Sequence, residues 1–375
     1  SYIGYVTQHV TVKGDEFITV SLAPASSTLN EVVVTGYTSQ VKKDITGAVG
    51  VVDMKDAKKL EVSSTEQMLQ GQVSGVTVLN DGAPGSASTV FIRGISNFGN
   101  TSPLYVIDGV QTSSMSNLNP SDIESISVLK DAGSAAIYGV AGGNGVIVIT
   151  TKKGRAGKTT LSYDGYYADQ TPLSGNVFNL MSPTQQSQLT FDAGDTGGET
   201  LYPGGPGVLP TYGYHGSTGY TAGSVNFGSS GVTDNAAILG DYLFDAANPG
   251  NDFLVQQFNQ AGTDWFHQLF KAAPEQSHTL TASGGTDHST FLYSLNYFND
   301  EGTLIDTWEK RYTLRVNNTY SLFNNHLRFG ESGYAYYSNN NGGYNGDQQQ
   351  EGGSISYAYR AMPILPVYDV AGNYG

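Results

Sequence analysis

His278-Thr-Leu-Thr-Ala-Ser-Gly284, Gly285-Thr-Asp-His288 and Ser289-Thr-Phe-Leu-Tyr-Ser-Leu-Asn-Tyr-Phe298 follow one another without interruption. Phe291, Tyr293, Leu295 and Tyr297 fall at every second position and share one face of a strand, and the polar turn before them closes a hairpin. The same period extends outward. Leu161, Tyr163, Gly165 and Tyr167 alternate with Ser162, Asp164, Tyr166 and Ala168, and further strands are expected at Arg311 to Leu322 and Leu327 to Tyr337, joined by Asn324-Asn325-His326. Alternating runs of about 10 to 12 residues match the length of membrane-crossing β-strands. Long polar stretches, Ala193 to Asn235 and Ser338 to Gly375, would be loops at one end, with short turns at the other. A soluble β-rich protein with Gly-rich surface loops shares this pattern.

Upstream the pattern changes to mixed α/β. Ser63 to Val73 opens with a capping-box signal and puts Met68, Leu69 and Val73 on an apolar face. Val90 to Gly94 and Leu104 to Gly109 read as short strands ending in turns. Asp122 to Leu129 reads as a helical turn plus strand, Ala132 to Tyr138 as a short helix, and Val146 to Thr151 as a buried strand. Residues 48–156 suffice for one compact domain. Before it, residues 2–23 carry a hairpin signal around Lys13-Gly14-Asp15, as if completing a small sandwich. Val32-Val33-Val34 is a short β-branched run followed by a polar stretch, Thr38 to Gly47, without strand or helix periodicity. Such a run serves either as a linker strand or as a strand added to another protein's sheet edge.

The composition narrows the function. The 375 residues include 48 Gly, no Cys and only 14% charged residues. No apolar run reaches the ~18 residues that a membrane helix needs. Without cysteine there is no disulfide framework, thiolate metal site or cysteine nucleophile, and the net charge of −15 argues against nucleic acid. The charge is uneven: residues 1–159 hold 12 Lys+Arg and 13 Asp+Glu, whereas residues 160–375 hold 6 and 20. The second part also holds 20 of the 25 Tyr and both Trp, so the boundary is a change of environment. The chain starts in mid-pattern with Met54 as its first Met, and is expected to be a fragment of a longer precursor.

Chemistry is hard to find. Gly154-Arg-Ala-Gly-Lys-Thr-Thr160 lacks the P-loop spacing, because the position five before Gly157 is Lys152 and a strand follows. Gly139 to Gly145 precedes a strand, the reverse of the dinucleotide-binding order. The six His show no ligand spacing, the acidic loops fail the EF-hand template, and no nucleophile elbow occurs. The expectation is no catalytic residue, no metal and no cofactor.

Order carries the recognition. Glu31-Val-Val-Val-Thr-Gly-Tyr37, Leu69-Gln-Gly-Gln-Val-Ser-Gly-Val76, Gly82-Ala-Pro-Gly85, Ile92-Arg-Gly94, Pro103-Leu-Tyr-Val-Ile-Asp-Gly-Val110, Asn119-Pro-Ser-Asp-Ile-Glu-Ser-Ile126, Val128-Leu-Lys-Asp-Ala132, Ala136-Ile-Tyr-Gly139 and Gly142-Gly-Asn-Gly-Val-Ile-Val-Ile-Thr-Thr-Lys152 occur in succession. Asp264-Trp265, Ala273 to His278, Glu301-Gly302, Arg311-Tyr312 and Pro363 to Asp369 continue the series. Together they resemble the SusC/RagA-type TonB-dependent outer-membrane transporters.

The resemblance implies a division: 1–28, the end of a carboxypeptidase-regulatory-like β-sandwich; 29–47, TonB box and linker; 48–156, an α/β plug; and 157–375, the first part of an antiparallel transmembrane barrel, 22-stranded in the family. Glu31, Val32, Val33, Val34, Thr35, Gly36 and Tyr37 would be the TonB box, pairing with periplasmic TonB by strand addition. Arg93 resembles a plug arginine held in charge contacts inside the barrel, with Glu124 a candidate participant; both equally suit ordinary ion pairs. Gly71, Gly75, Gly94, Gly109, Gly139 and Gly145, with Asp108, Lys130 and Tyr138, would be structural or gating parts of the plug. The implied partners are TonB, a SusD-like surface lipoprotein, outer-membrane lipid, and a glycan oligosaccharide or peptide. The implied activity is energy-coupled nutrient import across a Gram-negative outer membrane. The alternatives are a siderophore- or cobalamin-type receptor and an extracellular carbohydrate-binding β-protein.

Overall fold

A computed structural model describes residues 32–35, 38–41, 48–57, 62–95, 99–194, 201–216, 230–324, 326–342 and 354–374. The expected hairpin at 2–23 lies outside these residues, as do 42–47 of the linker.

Strands β1 (Val32–Thr35) and β2 (Thr38–Val41) pair antiparallel in a sheet of their own, Val32 opposite Val41 and Thr35 opposite Thr38. This corrects the reading of Thr38 onward as irregular. The polar run Thr-Ser-Gln-Val folds back on the β-branched run, so pairing across a two-residue connection supplies order that its own periodicity does not.

The next unit is built on β3 (Val49–Val51), β4 (Val76–Leu79), β5 (Thr89–Ile92), β6 (Leu104–Ile107), β7 (Val110–Thr112), β8 (Ile123–Leu129) and β9 (Val146–Thr151). Five of them form one sheet in the order β3-β8-β9-β6-β7, parallel between β6 and β9 and antiparallel elsewhere; β4 and β5 pair separately. β6 and the first four residues of β9 are apolar at every position because both faces are covered. Ile107, Ile126, Val128, Ile147 and Ile149 face one core with Met68, Leu69, Val73 and Val90. Val106, Leu129, Val146 and Val148 face the other, with Ala135 and Tyr138.

The helix expected over Ser63 to Val73 is a five-residue 3₁₀ turn, Thr65–Leu69, whose Ser64 makes no capping bond. The capping groups are used elsewhere. Ser64 Oγ meets Ser88 Oγ at 3.0 Å, and Glu66 Oε1 accepts from Met115 N at 3.1 Å. Gly71 and Gly75, both at φ 73°, then turn the chain out of the helical region.

From Gly157 the chain runs into β10 (Gly157–Gln170). A long excursion follows, containing β11 (Tyr212–His215), β12 (Ser230–Thr233) and β13 (Leu254–Gln257). The chain then returns through β14 (Ala273–Gly285), β15 (Ser289–Glu301), β16 (Trp308–Leu322) and β17 (Leu327–Asn341). β10, β14, β15, β16 and β17 form an antiparallel meander in that order.

The alternation of these strands is inverted relative to a soluble protein. On β16, Glu309, Arg311, Thr313, Arg315 and Asn317 are buried, whereas Tyr312, Leu314, Tyr320 and Leu322 are exposed. Polar residues therefore face the plug and apolar ones face outward, as a membrane barrel requires. On the outer face His278, Tyr297, Tyr312 and Tyr337 stand directly opposite one another across four strands. Tyr320 and Phe329 stack nearer the turn end, with ring centroids 6.4 Å apart. The eight residue steps from Tyr312 to Tyr320 span about 27 Å of strand, or about 20 Å of membrane depth at the usual tilt. The two aromatic levels thus bracket an apolar band.

The stretch Ala193 to Asn235, read as loop, contributes β11 and β12 to a three-stranded sheet with β13. Tyr202, Phe258 and Ile364 form its small core. Asn259 N donates to Ile364 O at 2.9 Å and Thr263 N to Pro363 O at 2.7 Å, so the segment after β17 is knitted into the same unit.

Candidate functional site: the interface between plug and barrel wall

Asp108 follows β6 in a turn with φ 48°, beside Gly109 at φ 90°. That turn aims its carboxylate across the end of β9. Oδ1 accepts from Thr151 N at 3.0 Å, and Oδ2 accepts from the Thr151 hydroxyl. Oδ2 also accepts from Arg315 of β16 at 3.0 Å and from Ser332 of β17 at 3.2 Å. Arg315 in turn donates to the Thr151 hydroxyl, and its side chain is only 2% exposed. Burial pushes the Asp108 carboxyl up, but the Thr151 bonds and the Arg315 bond and charge outweigh it and hold it below the usual carboxylate range. One plug carboxylate and one wall guanidinium therefore fasten the two units.

A second arginine lies two inward positions up the same strand. Arg311 Nη1 donates to Glu309 at 3.2 Å and to the plug carbonyl of Ser116 at 3.2 Å, and Nη2 donates to Ser63 O at 3.4 Å. Its guanidinium stacks 4.7 Å from the Phe298 ring centroid. On the other side, the contact is neutral: Asn119 Nδ2 donates to Thr279 Oγ1 of β14 at 3.2 Å.

The other sequence-selected residues are placed as follows. Arg93, at φ 59°, is exposed, and its N donates to Gly75 O at 2.7 Å. Glu124 stands 3.7 Å from Arg155 in an exposed pair. Lys130 donates to Ser74 Oγ at 3.4 Å; burial and then the Arg93 charge lower its pKa. Tyr138 is buried in the second core. Gly71, Gly75, Gly94, Gly109, Gly139 and Gly145 all have positive φ, and at Gly145 a Cβ would also lie 2.7 Å from Ile92 Cδ1 and 3.1 Å from the Leu129 carbonyl. Of the residues expected to form the TonB box, Val32 to Thr35 form β1, whereas Glu31, Gly36 and Tyr37 lie outside the described residues.

Arg311 and Arg315 were not singled out as site residues from the sequence. The available signal was their place in the polar phase of β16: a charge at an inward position needs a partner, and the partner has to come from the plug.

Residues 41–146 match the family model of the TonB-dependent receptor plug domain. The chain is 32% identical to TonB-dependent receptor P26 of Formosa agariphila over 100% of its own length and 32% of that protein's. It is 30% identical to TonB-dependent receptor SusC of Bacteroides thetaiotaomicron over 98% of its length and 31% of that protein's. It thus spans about a third of these relatives. Among solved structures, the RagAB peptide importer in its open-open state superposes with TM-score 0.70 and 26% identity, covering 92% of this chain and 36% of that one. An α/β plug, matched by its family model, is bonded to an outwardly apolar meander that superposes on RagAB, and the alignment to SusC, over 98% of this chain, covers both: the chain belongs to the SusC/RagA-like TonB-dependent transporters.

Proposed function

We propose that this protein imports a nutrient across the outer membrane of a Gram-negative bacterium, driven by TonB, and is not an enzyme. The observation that carries this reading is the fastening of a plug with its own core to the polar wall of a barrel sheet by a few named bonds. Such a plug is held firmly enough to close a pore and loosely enough to be displaced as a local event.

Val32 to Thr35 is the segment on which TonB acts. Among the described residues β1 pairs with β2 alone, which leaves its second edge for strand addition, and backbone pairing transmits force whatever most side chains are. The long-loop end faces outside, where the unit around Tyr202, Phe258 and Ile364 meets a SusD-like lipoprotein. The substrate is a glycan oligosaccharide, with a peptide as the second class; RagAB, the structural relative, is a peptide importer.

The test is growth of a host expressing the full-length parent on a panel of glycans and peptides, with Val32 to Thr35 intact or deleted. Loss of growth on one nutrient at unchanged membrane abundance supports the reading and names the substrate class. Unchanged growth on a nutrient for which the intact transporter is shown to be required sinks it.

A further inference from the structure

Arg311 reaches the plug through two backbone carbonyls from distant parts of its chain: Ser116 O accepts at 3.2 Å and Ser63 O at 3.4 Å. Guanidinium donors form a rigid fork, so this grip exists only while both oxygens stand in place together. The two segments therefore have to be tied to each other within the plug.

Glu66 makes the tie. Its Oε1 accepts from Met115 N at 3.1 Å and from the Ser114 hydroxyl at 3.3 Å, 49 and 48 residues along the chain. Ser114 Oγ accepts in turn from Ser116 N at 3.1 Å, so Ser116 is held by the plug through its N–H and by the wall through its carbonyl. Ser63 is joined to the Glu66 turn by its hydroxyl, which donates to Gln67 Oε1 at 3.3 Å. Thr65 Oγ1 donates to Leu118 O at 2.5 Å and closes the far end. Glu66 is only 1% exposed, and a carboxylate is costly there where an apolar residue would not be. What the position gains is an acceptor for Ser114 and Met115. The other fastening is independent of it, since Asp108 is aimed by its own turn and by Thr151.

We propose that Glu66 is the positioning residue of the plug's hold on Arg311: it joins two distant segments into one receptor for the guanidinium, so that the hold is made or lost as a unit. Ser63 and Glu66 stand nearer in the chain to Val32 to Thr35 than any other plug group that Arg311 or Arg315 touches. On the import reading, on which this role rests, a pull on that segment reaches the turn first. Withdrawing Glu66 then frees Ser114 to Ser116 as well, and both contacts to Arg311 end together.

The described chain contains no cysteine, so a single reporter can be placed in the full-length parent after any others are changed to serine. Thr313 lies between the two arginines on the inner face of β16, is 2% exposed, and its hydroxyl has no partner among the described residues. Thr313→Cys therefore reports separation of plug from wall with little disturbance of its own. In the detergent-solubilised protein, labelling by a small maleimide tracks the open population. Glu66→Leu leaves buried donors unpaired and should speed labelling at least about fivefold, whereas Glu66→Gln, which keeps the acceptor, should stay within about twofold of the parent. On an Arg311→Met background Glu66→Leu should add less than about twofold, because the grip it positions is already gone, and on Arg315→Met it should add its full factor. A full factor on both backgrounds, or no rise from Glu66→Leu at all, overturns the assignment. A second reporter, Val148→Cys in the second core of the plug, tells loosening from unfolding. If Glu66→Leu speeds labelling there too, Ser114→Ala takes its place in the same cycle, and the same two results decide. None of these measurements uses transport, so a failed cycle leaves the import reading standing. Box-independent growth on a nutrient that requires the transporter overturns import and leaves the tie between Glu66 and Arg311 in place.

Discussion

Asp108 and Arg315 lie 207 residues apart in the chain and 3.0 Å apart in the fold, one at the tip of a plug turn and the other on the inner face of β16. Neither side chain has much access to water: Arg315 is 2% exposed and Asp108 13%. Removing one partner of a buried pair leaves the other uncompensated and costs roughly 3–5 kcal/mol, whereas removing both costs far less. Asp108→Asn and Arg315→Met should each lower the unfolding temperature of the detergent-solubilised full-length protein, and the double variant should fall well short of the sum. Additive losses would show that the two residues act independently.

The same pair sets an acid limit. Because the folded pKa of Asp108 is lowered, its contribution is fully present above the ordinary carboxylate pKa and is lost as pH falls through the lowered value. Plug protection from proteolysis should therefore decline over that acidic window. In Asp108→Asn this component of the decline should be missing, as limited proteolysis across pH would register.

Glu66 behaves oppositely. Burial raises its pKa against the bonds it accepts from its own backbone, Met115, Ser114 and Ser64, and among the described residues Oε2 meets no hydrogen-bond donor of ordinary geometry. The folded state then binds the proton more readily than the unfolded chain, so stability falls as pH rises from the ordinary carboxylate value through the raised one. Glu66→Gln should flatten that dependence, with its relative gain growing toward neutral pH. Parallel pH–stability curves for the two proteins would refute it.

Gly145 and Gly139 separate two kinds of glycine requirement. Both have positive φ, but a Cβ at Gly139 meets nothing within 4 Å, whereas at Gly145 it runs into Ile92 and the Leu129 backbone. Gly139→Ala should cost about 1–3 kcal/mol, the conformational penalty alone, since φ 60° with ψ −143° lies beside a region kept almost wholly for glycine. Gly145→Ala should cost clearly more, because β8 and β5 must also move. Equal losses in a denaturant titration would count against the packing argument.

On the outer face, Leu314 is exposed between the two aromatic levels. Leu314→Arg should destabilise the protein by roughly 1–3 kcal/mol in lipid vesicles, between the cost of a cation at the bilayer midplane and at its interface. A loss below about 0.5 kcal/mol, the range of ordinary surface substitutions, would place Leu314 outside the hydrocarbon.

Legibility in the sequence followed the range of the interactions. Phe291, Tyr293, Leu295 and Tyr297 announce their shared face because a strand's period needs only neighbouring residues. The apolar runs of β6 and β9 likewise declare a sheet covered on both sides. Ser63 to Val73 misled because Ser64 and Glu66 are claimed by Ser88 and Met115, far along the chain. Ala193 to Asn235 looked like loop because the Tyr202 core is completed by Ile364 from beyond β17. Asp108 was picked out by its motif, but its bond to Arg315 is a tertiary fact that no local pattern encodes.

The two cores of the plug lie on the faces of its own sheet, and what it offers the wall is carboxylate, amide, hydroxyl and carbonyl. At these contacts, parting plug from wall would uncover polar groups whose hydrogen bonds water can replace. Both cores are made of plug residues alone, so at these points the plug meets the wall as one folded unit meets another and not as half of a shared core.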